Sequence, residues 1–202
     1  MNKSITSRHL DLGCGHTPRN PYNKAELYAC DIQDLDQADL KDGYIYVRAN
    51  LATESLPFED DYFDCVSAFD LLEHIPRNIF LGRDGEMKNS FVDLMSEIHR
   101  ILKPNGVFLA STPAYPRPEA FQDPTHVNII TDKTHQYFCG SECYARQYGF
   151  VGNFSARRVA WDSPKNAWSP QTALSKKLFR NFKNAVFKGG ITHLTWELRA
   201  VK

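Results

Sequence analysis

The chain has 202 residues, with 24 basic and 24 acidic side chains, 42% apolar residues and 12% aromatic residues. This length suits one domain, or one domain with a sizeable insertion, and the composition excludes disordered, collagen-like and fibrous proteins. No stretch approaches the ~20 consecutive apolar residues of a membrane span. The opening residues, MNKSITSRHLDLG, hold no apolar segment long enough for a secretory signal, so we expect a cytoplasmic protein.

The charges are unevenly distributed along the chain. Residues 1–100 hold 18 acidic and 10 basic side chains, a net charge of −8, whereas residues 101–202 hold 6 and 14, a net charge of +8. A uniformly basic nucleic-acid binder does not have this pattern. An anionic partner is therefore expected to meet the C-terminal half.

The five cysteines are an odd number without a regular framework, which is typical of free thiols in a reducing compartment. His135, Cys139 and Cys143 are spaced so that one helix face could present all three. A structural zinc site needs four ligands, and no second ligand pair is present. The sequence therefore predicts no metal site.

Short apolar runs alternate with helix-like stretches over the first 110 residues, which is the pattern of a parallel α/β sheet. Helical spacing of apolar residues predicts a helix over 91–102, ended by the breaker residues 103–106. A second helix is expected to begin at 70–75. Strands are predicted at 9–12, 27–31, 44–49, 63–69 and 107–111.

Beyond Pro113 the sequence no longer alternates between short apolar runs and helix-like stretches. Residues 113–128 form a proline-rich loop that is too long to be a simple connection. A helix at about 139–148, a strand near 155–160 and a last strand over 191–201 are predicted after it. Residues 163–190 form a segment with six Lys or Arg and no acid, and apolar spacing within it predicts a basic amphipathic helix over 171–188.

The sharpest motif is Asp11-Leu-Gly13-Cys-Gly15, directly after the first predicted strand. Its two glycines allow a tight turn and a close approach of the backbone to a ligand. Asp31 ends the next strand, where a carboxylate can accept both hydroxyls of an adenosine ribose. Because Pro18 replaces the third glycine of the dinucleotide motif, the sequence predicts a ligand with an adenosine and without a pyrophosphate.

These residues resemble the class I S-adenosylmethionine-dependent methyltransferases. HLDLGCG is similar to the first family motif, and Asp31-Ile32 and Asn50-Leu51 are similar to the residues that contact the ribose and the adenine edge. LPFEDDYFDCVSAFDLLEHIPR and EIHRILKPNGVFLASTP resemble the family's fourth strand, its helix and the fifth strand. The resemblance covers about residues 8–140. It implies one class I domain over 1–202, an α/β Rossmann-like fold whose seven-stranded, mostly parallel sheet has helices on both faces and an antiparallel last strand.

A narrower resemblance is carried by DLGCGHTPRNPYNKAELYACDI and by the segment Asp123-Pro-Thr-His126. Both look like a compact subgroup whose members often accompany genes for surface polysaccharide and lipopolysaccharide synthesis. His16-Thr17-Pro18 departs from the usual family pattern and is expected to shorten the first helix. The resemblance implies S-adenosylmethionine as cofactor, bound by Asp11, Gly13, Cys14, Gly15, Asp31, Ile32, Asn50, Leu51, Phe69, Asp70 and His74.

The catalytic candidates lie in the loop 113–128. This loop leaves the sheet at its carboxyl edge, where open α/β sheets bind ligands, so it is expected to close over a methyl acceptor. Its proton acceptors are Glu119, Asp123 and His126. We expect His126 to act as the base and Asp123 to orient it or to bind the acceptor; the alternative is that both only tie the loop together.

The leading hypothesis is an enzyme that methylates a hydroxyl or amine of a small-molecule or glycan acceptor, with a role in surface polysaccharide synthesis. The alternative is a non-catalytic cofactor-binding protein that serves as a partner or regulatory subunit. Nucleic acid is not expected as the substrate, because Phe69-Asp70-Leu71-Leu72 stands where base-methylating enzymes have Asn/Asp-Pro-Pro-aromatic. The helix 171–188 either packs on the sheet or contacts an anionic acceptor or a membrane surface. The oligomeric state is left open.

Overall fold

The computed structural model describes residues 6–35, 43–81, 85–164 and 190–202. The described strands and the α-helix are, in chain order, β1 Arg8–Leu12, β2 Glu26–Asp31, β3 Ile45–Arg48, β4 Phe63–Phe69, β5 Ile79–Leu81, β6 Glu86–Lys88, α1 Ser90–Ile101, β7 Leu102–Pro113, β8 Phe154–Asp162 and β9 His193–Ala200. The predicted basic helix 171–188, and nearly all of the segment 163–190, lie outside the described residues.

Seven of the strands form one sheet in the order β3-β2-β1-β4-β7-β9-β8. β1, β2, β3, β4 and β7 are parallel to one another, and β9 lies antiparallel between β7 and β8. The predicted seven-stranded, mostly parallel Rossmann-like sheet with an antiparallel last strand is confirmed. β5 and β6 form a separate two-stranded ribbon.

The chain order of the strands fixes where a ligand can bind. From β1 the chain passes outward to β2 and β3, then returns to β4 on the other side of β1. The connections therefore diverge beside the carboxyl ends of β1 and β4, which is the topological switch point where open α/β sheets bind ligands. Because β9 is antiparallel, its first residue meets the carboxyl end of β7, and His193 pairs with Pro113.

Burial on one face explains α1. Its apolar residues recur at helical spacing and are almost fully enclosed in the core: Phe91, Leu94, Met95, Ile98 and Ile101. The helix ends at Ile101, just before the predicted breakers. Residues 103–106 then bulge out of β7, since the pairing with β4 passes from Phe63–Leu102 to Cys65–Val107. The fifth parallel strand is thus longer than the predicted 107–111.

Two helix predictions need correction. The predicted helix at about 139–148 is wrong: the region holds 3₁₀ turns at Thr134–Phe138 and Tyr144–Tyr148. Gly140 and Cys143 between them have positive φ angles of 83° and 32°, which a right-handed helix does not allow. His135, Cys139 and Cys143 therefore do not share a helix face.

The helix expected to begin at 70–75 is only a 3₁₀ turn, Leu72–His74, which we call the Glu73 turn. α1 is the α-helix whose full bounds lie within the described residues, and turns without a helix connect β1 to β2. None of the described helices combines the length and the apolar character needed to cross a bilayer.

Candidate functional site

A first cavity, of about 180 Å³, opens at the carboxyl ends of β1, β2 and β3. We call it the β1–β3 cavity. Six of the predicted cofactor residues line it, and apolar side chains complete its wall. The six are Gly13, Asp31, Ile32, Asn50, Leu51 and His74, and the apolar neighbours include Ala49, Leu71 and Ile75.

The turn after β1 needs glycine for two reasons. Gly13 has a φ of +65°, and a Cβ at this position would lie 2.9 Å from Cδ1 of Leu71. A side chain would therefore strain the backbone and displace the cavity wall. Two residues later, the Gly15 N–H donates to Oδ2 of Asp31 at 2.9 Å. This bond fixes the Asp31 carboxylate at the end of β2, facing the β1–β3 cavity.

Three predicted residues support the turn from outside the β1–β3 cavity. Asp11 is buried and accepts hydrogen bonds from the Ser67 hydroxyl at 2.5 Å and the Arg19 N–H at 2.8 Å. Burial raises the pKa of Asp11 to about 6 and the pKa of the Cys14 thiol to about 12. Phe69 is buried beneath the Arg19 guanidinium, 4.9 Å from the ring centroid. All three are placed to hold the turn in shape.

A second cavity, of about 390 Å³, lies beside the ends of β4 and β7 and the start of β9. We call it the loop cavity, because the loop 113–128 forms one wall. Its lining is rich in titratable side chains: Asp70, Glu73, His74, Glu119, Asp123, His126 and His193. His74 lines both cavities.

The predicted base, His126, packs edge-on against His74 with 4.8 Å between the ring centroids. Its Nδ1 lies 3.3 Å from the carbonyl oxygen of Ala120. A carbonyl oxygen only accepts hydrogen bonds, so neutral His126 carries its proton on Nδ1 and has a lone pair on Nε2. That lone pair is the group that could take up a proton.

Asp123 supports His74 through Thr125. Its Oδ1 accepts hydrogen bonds from the Thr125 N–H at 2.8 Å and from the Thr125 hydroxyl at 2.6 Å, and these bonds hold the pKa of Asp123 below its usual range. Nδ1 of His74 lies 3.1 Å from the Thr125 hydroxyl oxygen and 3.2 Å from the Thr125 carbonyl oxygen. The side chain of Asp123 thus positions Thr125 and His74, and only its backbone carbonyl contacts the backbone of His126.

Two site residues were missed in the sequence. Glu73 is almost fully buried, and its Oε2 accepts a hydrogen bond of 2.7 Å from the Thr112 hydroxyl. Burial raises the pKa of Glu73 to about 7. Nε2 of His193 lies 2.9 Å from Oδ1 of Asp70, so Asp70, predicted to bind the cofactor, pairs with His193 in the loop cavity. Glu73 could have been found from its place beside His74, but His193 is recognisable only once β9 is known to be antiparallel.

The donor set of the β1–β3 cavity fits an adenosine-containing cofactor. A carboxylate stands at the end of β2, where it can accept from ribose hydroxyls, and Ile32, Leu71 and Ile75 offer an apolar surface to a base. Gly15 has no atom within 4 Å of its Cβ position, so it leaves the adjacent backbone open to a close approach.

Known proteins share this architecture. A methyltransferase of Haloferax volcanii, solved with the Trm112 methyltransferase activator, is 14% identical, with a TM-score of 0.58 over 98% of this chain and 83% of that one. An S-adenosylmethionine-dependent methyltransferase from Mesorhizobium loti is 16% identical, with a TM-score of 0.55 over 96% and 91%. The [4+2]-cyclase SpnF is also 16% identical, with a TM-score of 0.55 over 97% and 75%. Likeness at this identity shows the fold alone.

A search of curated protein sequences finds no match to this chain. The profile of the methyltransferase domain matches residues 10–110, which span half of the chain and hold β1 to β4, the Glu73 turn, α1 and most of β7. The chain therefore belongs to the methyltransferase-domain family, and its cofactor is S-adenosylmethionine.

Proposed function

We propose that this protein transfers the methyl group of S-adenosylmethionine to a hydroxyl, or an amine, of a small-molecule or glycan acceptor bound in the loop cavity. One observation carries the proposal: His74 lines both the β1–β3 cavity and the loop cavity. A methyl donor in the first cavity and an acceptor in the second would meet beside this residue. Such an arrangement permits the in-line displacement that methyl transfer requires.

For methyl transfer the protein mainly has to align the methyl donor with the acceptor and remove the proton of the acceptor. S-adenosylmethionine supplies a methyl group that its sulfonium already activates. His126 has an Nε2 lone pair at the loop cavity, so it is our candidate to take the proton of an acceptor hydroxyl. Asp123 and Thr125 hold His74 in place next to it.

The lining of the loop cavity supports a hydroxylated acceptor. Carboxylates and imidazoles line this cavity. Carboxylates accept hydrogen bonds from hydroxyls, and neutral imidazoles both donate and accept them. The resemblance of residues 123–126 to the polysaccharide-associated subgroup favours a glycan. The carboxylates of the loop cavity favour an uncharged acceptor group there. The excess of basic residues beyond residue 100 would instead meet the anionic part of an acceptor, such as a nucleotide sugar, outside this cavity.

Two other functions are weaker candidates. The structural likeness to SpnF, a cyclase, means that the fold does not by itself define the reaction. A non-catalytic binder would need only the β1–β3 cavity. Seven titratable side chains around a second, adjoining cavity favour catalysis over both passive binding and a reaction without proton transfer.

Two measurements on the purified protein test the proposal. Calorimetry with S-adenosylhomocysteine should show one site per chain. A screen with radiolabelled S-adenosylmethionine should then transfer label to at least one member of a panel of nucleotide sugars, lipid-linked glycans and free glycans. Binding without transfer to any acceptor would favour the non-catalytic alternative.

A further inference from the structure

Three side chains of the loop cavity converge on one point. Glu73, His74 and His126 each offer a ligand atom, and these atoms all lie within 4.8 Å of one another. Glu73 and His74 come from the Glu73 turn after β4, whereas His126 comes from the loop after β7. The cluster exists because the backbone N–H groups of Val127 and Asn128 both donate to the carbonyl oxygen of Glu73, at 2.9 Å each.

The hydrogen bonds leave lone pairs free at this point. The Thr125 hydroxyl donates its proton to Asp123, so Nδ1 of His74 must donate to Thr125. His126 donates from Nδ1 to Ala120. Both neutral imidazoles therefore keep a lone pair on Nε2, and metals bind neutral imidazole through such a lone pair.

Glu73 brings a carboxyl group to the same point, and this group is buried. It is 1% exposed, and within the described part of the chain no Lys or Arg forms an ion pair with it; its side-chain partner there is the Thr112 hydroxyl. Burial disfavours the ionised form of the Glu73 side chain. A divalent cation among Glu73, His74 and His126 would stabilise that ionised form.

We propose that Glu73, His74 and His126 form a binding site for one divalent first-row transition-metal ion. Two imidazoles and one carboxylate suit zinc, manganese, iron or cobalt better than magnesium or calcium, which prefer oxygen ligands. Metal–ligand bonds of ~2.0–2.2 Å allow two ligand atoms to lie up to ~4 Å apart, so small side-chain rotations close the site. The remaining coordination positions face the loop cavity.

The surrounding hydrogen bonds also match a metal site. Ligating histidines in proteins almost always donate their other ring N–H to a carbonyl or carboxylate, and ligating carboxylates are themselves hydrogen-bonded. Here Ala120 holds His126, Thr125 and Asp123 hold His74, and Thr112 holds Glu73. All three ligands are thus oriented before a metal arrives.

The catalytic consequence, which rests on the proposed function, concerns the acceptor. A hydroxyl bound to the open position loses its proton more easily, because a metal ion stabilises the alkoxide. In the metal-loaded enzyme His126 binds the ion, so the acceptor proton passes to solvent through the loop cavity instead of to His126. The alkoxide oxygen then bonds to the methyl carbon as the carbon–sulfur bond breaks and S-adenosylhomocysteine leaves. Methyl transfer should then be sensitive to chelators.

The test is a titration of the purified, metal-free chain with Co²⁺, followed by visible absorption. We expect one saturable Co²⁺ per chain, displaced by Zn²⁺. Glu73→Gln and His126→Ala should each weaken binding at least ~100-fold, and Thr112→Val should weaken it ~10–100-fold through the orientation of Glu73. His135→Gln, which removes a histidine outside the cluster, should bind Co²⁺ like the parent. Circular dichroism should confirm that each variant is folded.

Two results would overturn the site: no saturable Co²⁺ binding, or binding that survives both Glu73→Gln and His126→Ala. S-adenosylhomocysteine calorimetry on the same samples separates this inference from the proposed function. Cofactor binding and methyl transfer that continue unchanged in the chelator-treated enzyme would contradict the catalytic role and leave the methyltransferase intact. Specific Co²⁺ binding without cofactor binding would confirm the metal site and contradict the proposed function.

Discussion

At the scale of a single residue, we propose that Asp31 both holds the glycine turn and binds the ribose of the cofactor. Its Oδ2 accepts a hydrogen bond from the Gly15 N–H at 2.9 Å, and its Oδ1 accepts one from the Gln33 N–H at 3.1 Å. A carboxylate can accept about four hydrogen bonds, so capacity for the two ribose hydroxyls remains. We therefore propose that Asp31 links the shape of the glycine turn to the recognition of the cofactor.

Asp31→Asn should weaken S-adenosylhomocysteine binding by ~10–100-fold, since hydrogen bonds to a charged group contribute ~1.5–3 kcal/mol. The amide keeps one acceptor oxygen for Gly15, so the turn should survive. Calorimetry measures the affinity, and the exposed Asp34 provides a matched Asp34→Asn control. An affinity within twofold of the parent would contradict the assignment of Asp31 to the ribose.

His126→Ala should lower kcat at least ~100-fold, because it removes either a proton acceptor or a metal ligand beside the acceptor. The dissociation constant for S-adenosylhomocysteine should stay within a few fold, since His126 does not line the β1–β3 cavity. Steady-state kinetics and calorimetry give the two values. A loss of kcat below tenfold would leave alignment of the substrates as the main contribution of the protein.

At the scale of elements, the loop 113–128 is held on the Glu73 turn by Asn128. This side chain is 2% exposed. Its Nδ2 donates to the carbonyl oxygen of Leu72 at 3.0 Å, and its Oδ1 accepts from Nε of Arg77 at 2.9 Å. The position of His126 relative to His74 depends on this contact, because it fixes the end of the loop.

Asn128→Ala should lower the free energy of unfolding by ~1–3 kcal/mol, since it removes the buried hydrogen bond to the Leu72 carbonyl oxygen and the acceptor of Nε of Arg77. It should also lower kcat/KM for the acceptor while S-adenosylhomocysteine binding changes little. Urea unfolding and kinetics test both effects. Gln136→Ala, which removes an exposed amide elsewhere, is the control; equal stability of the two variants would show that Asn128 does not hold the loop.

The strands of the sheet were predictable because buried parallel strands read as continuous apolar runs. β4 lies over 63–69 as predicted, and β1 and β2 each begin one residue early. The absence of a helix at 139–148 was not predictable from residue spacing, because the positive φ angles of Gly140 and Cys143 prevent the helix that the spacing favours. Glu73 and His193 were missed for another reason: their roles depend on contacts between segments that are distant in sequence.

At the scale of the whole molecule, the sheet brings six separate segments to one edge. β1, β2 and β3 supply the β1–β3 cavity, while β4, β7 and β9 supply the loop cavity. Insertion of β9 beside β7 carries His193 to Asp70. The two cavities adjoin because β1 and β4 are neighbours at the switch point, which places the proposed cofactor residues next to the proposed acceptor residues.

Beneath this edge a buried chain of polar groups couples the stability of the whole fold to pH. Nε2 of His9 donates to the Ser67 hydroxyl at 2.8 Å, and Ser67 donates to Asp11. Burial lowers the pKa of His9 to about 3 and raises the pKa of Asp11 to about 6. Between pH ~6.5 and 3 the unfolded state binds a proton on His9 that the folded state does not, so acidification destabilises the fold. Asp11 acts oppositely, because between pH ~6 and ~4 its folded form holds the proton more tightly.

The two contributions offset each other in the parent protein, and His9→Gln should separate them. A shift of one pKa unit corresponds to ~1.4 kcal/mol, so the lowered pKa of His9 reduces the free energy of unfolding by about 3 kcal/mol on going from pH 7 to pH 4. On going from pH 7 to pH 4, the variant should therefore lose about 3 kcal/mol less free energy of unfolding than the parent. Urea unfolding at both pH values measures the difference, with the exposed His16→Gln variant as control. If the pH dependence of His9→Gln coincided with that of the parent and of His16→Gln, then His9 would not be held neutral in the fold, and the buried chain from His9 to Asp11 would have no part in its acid stability.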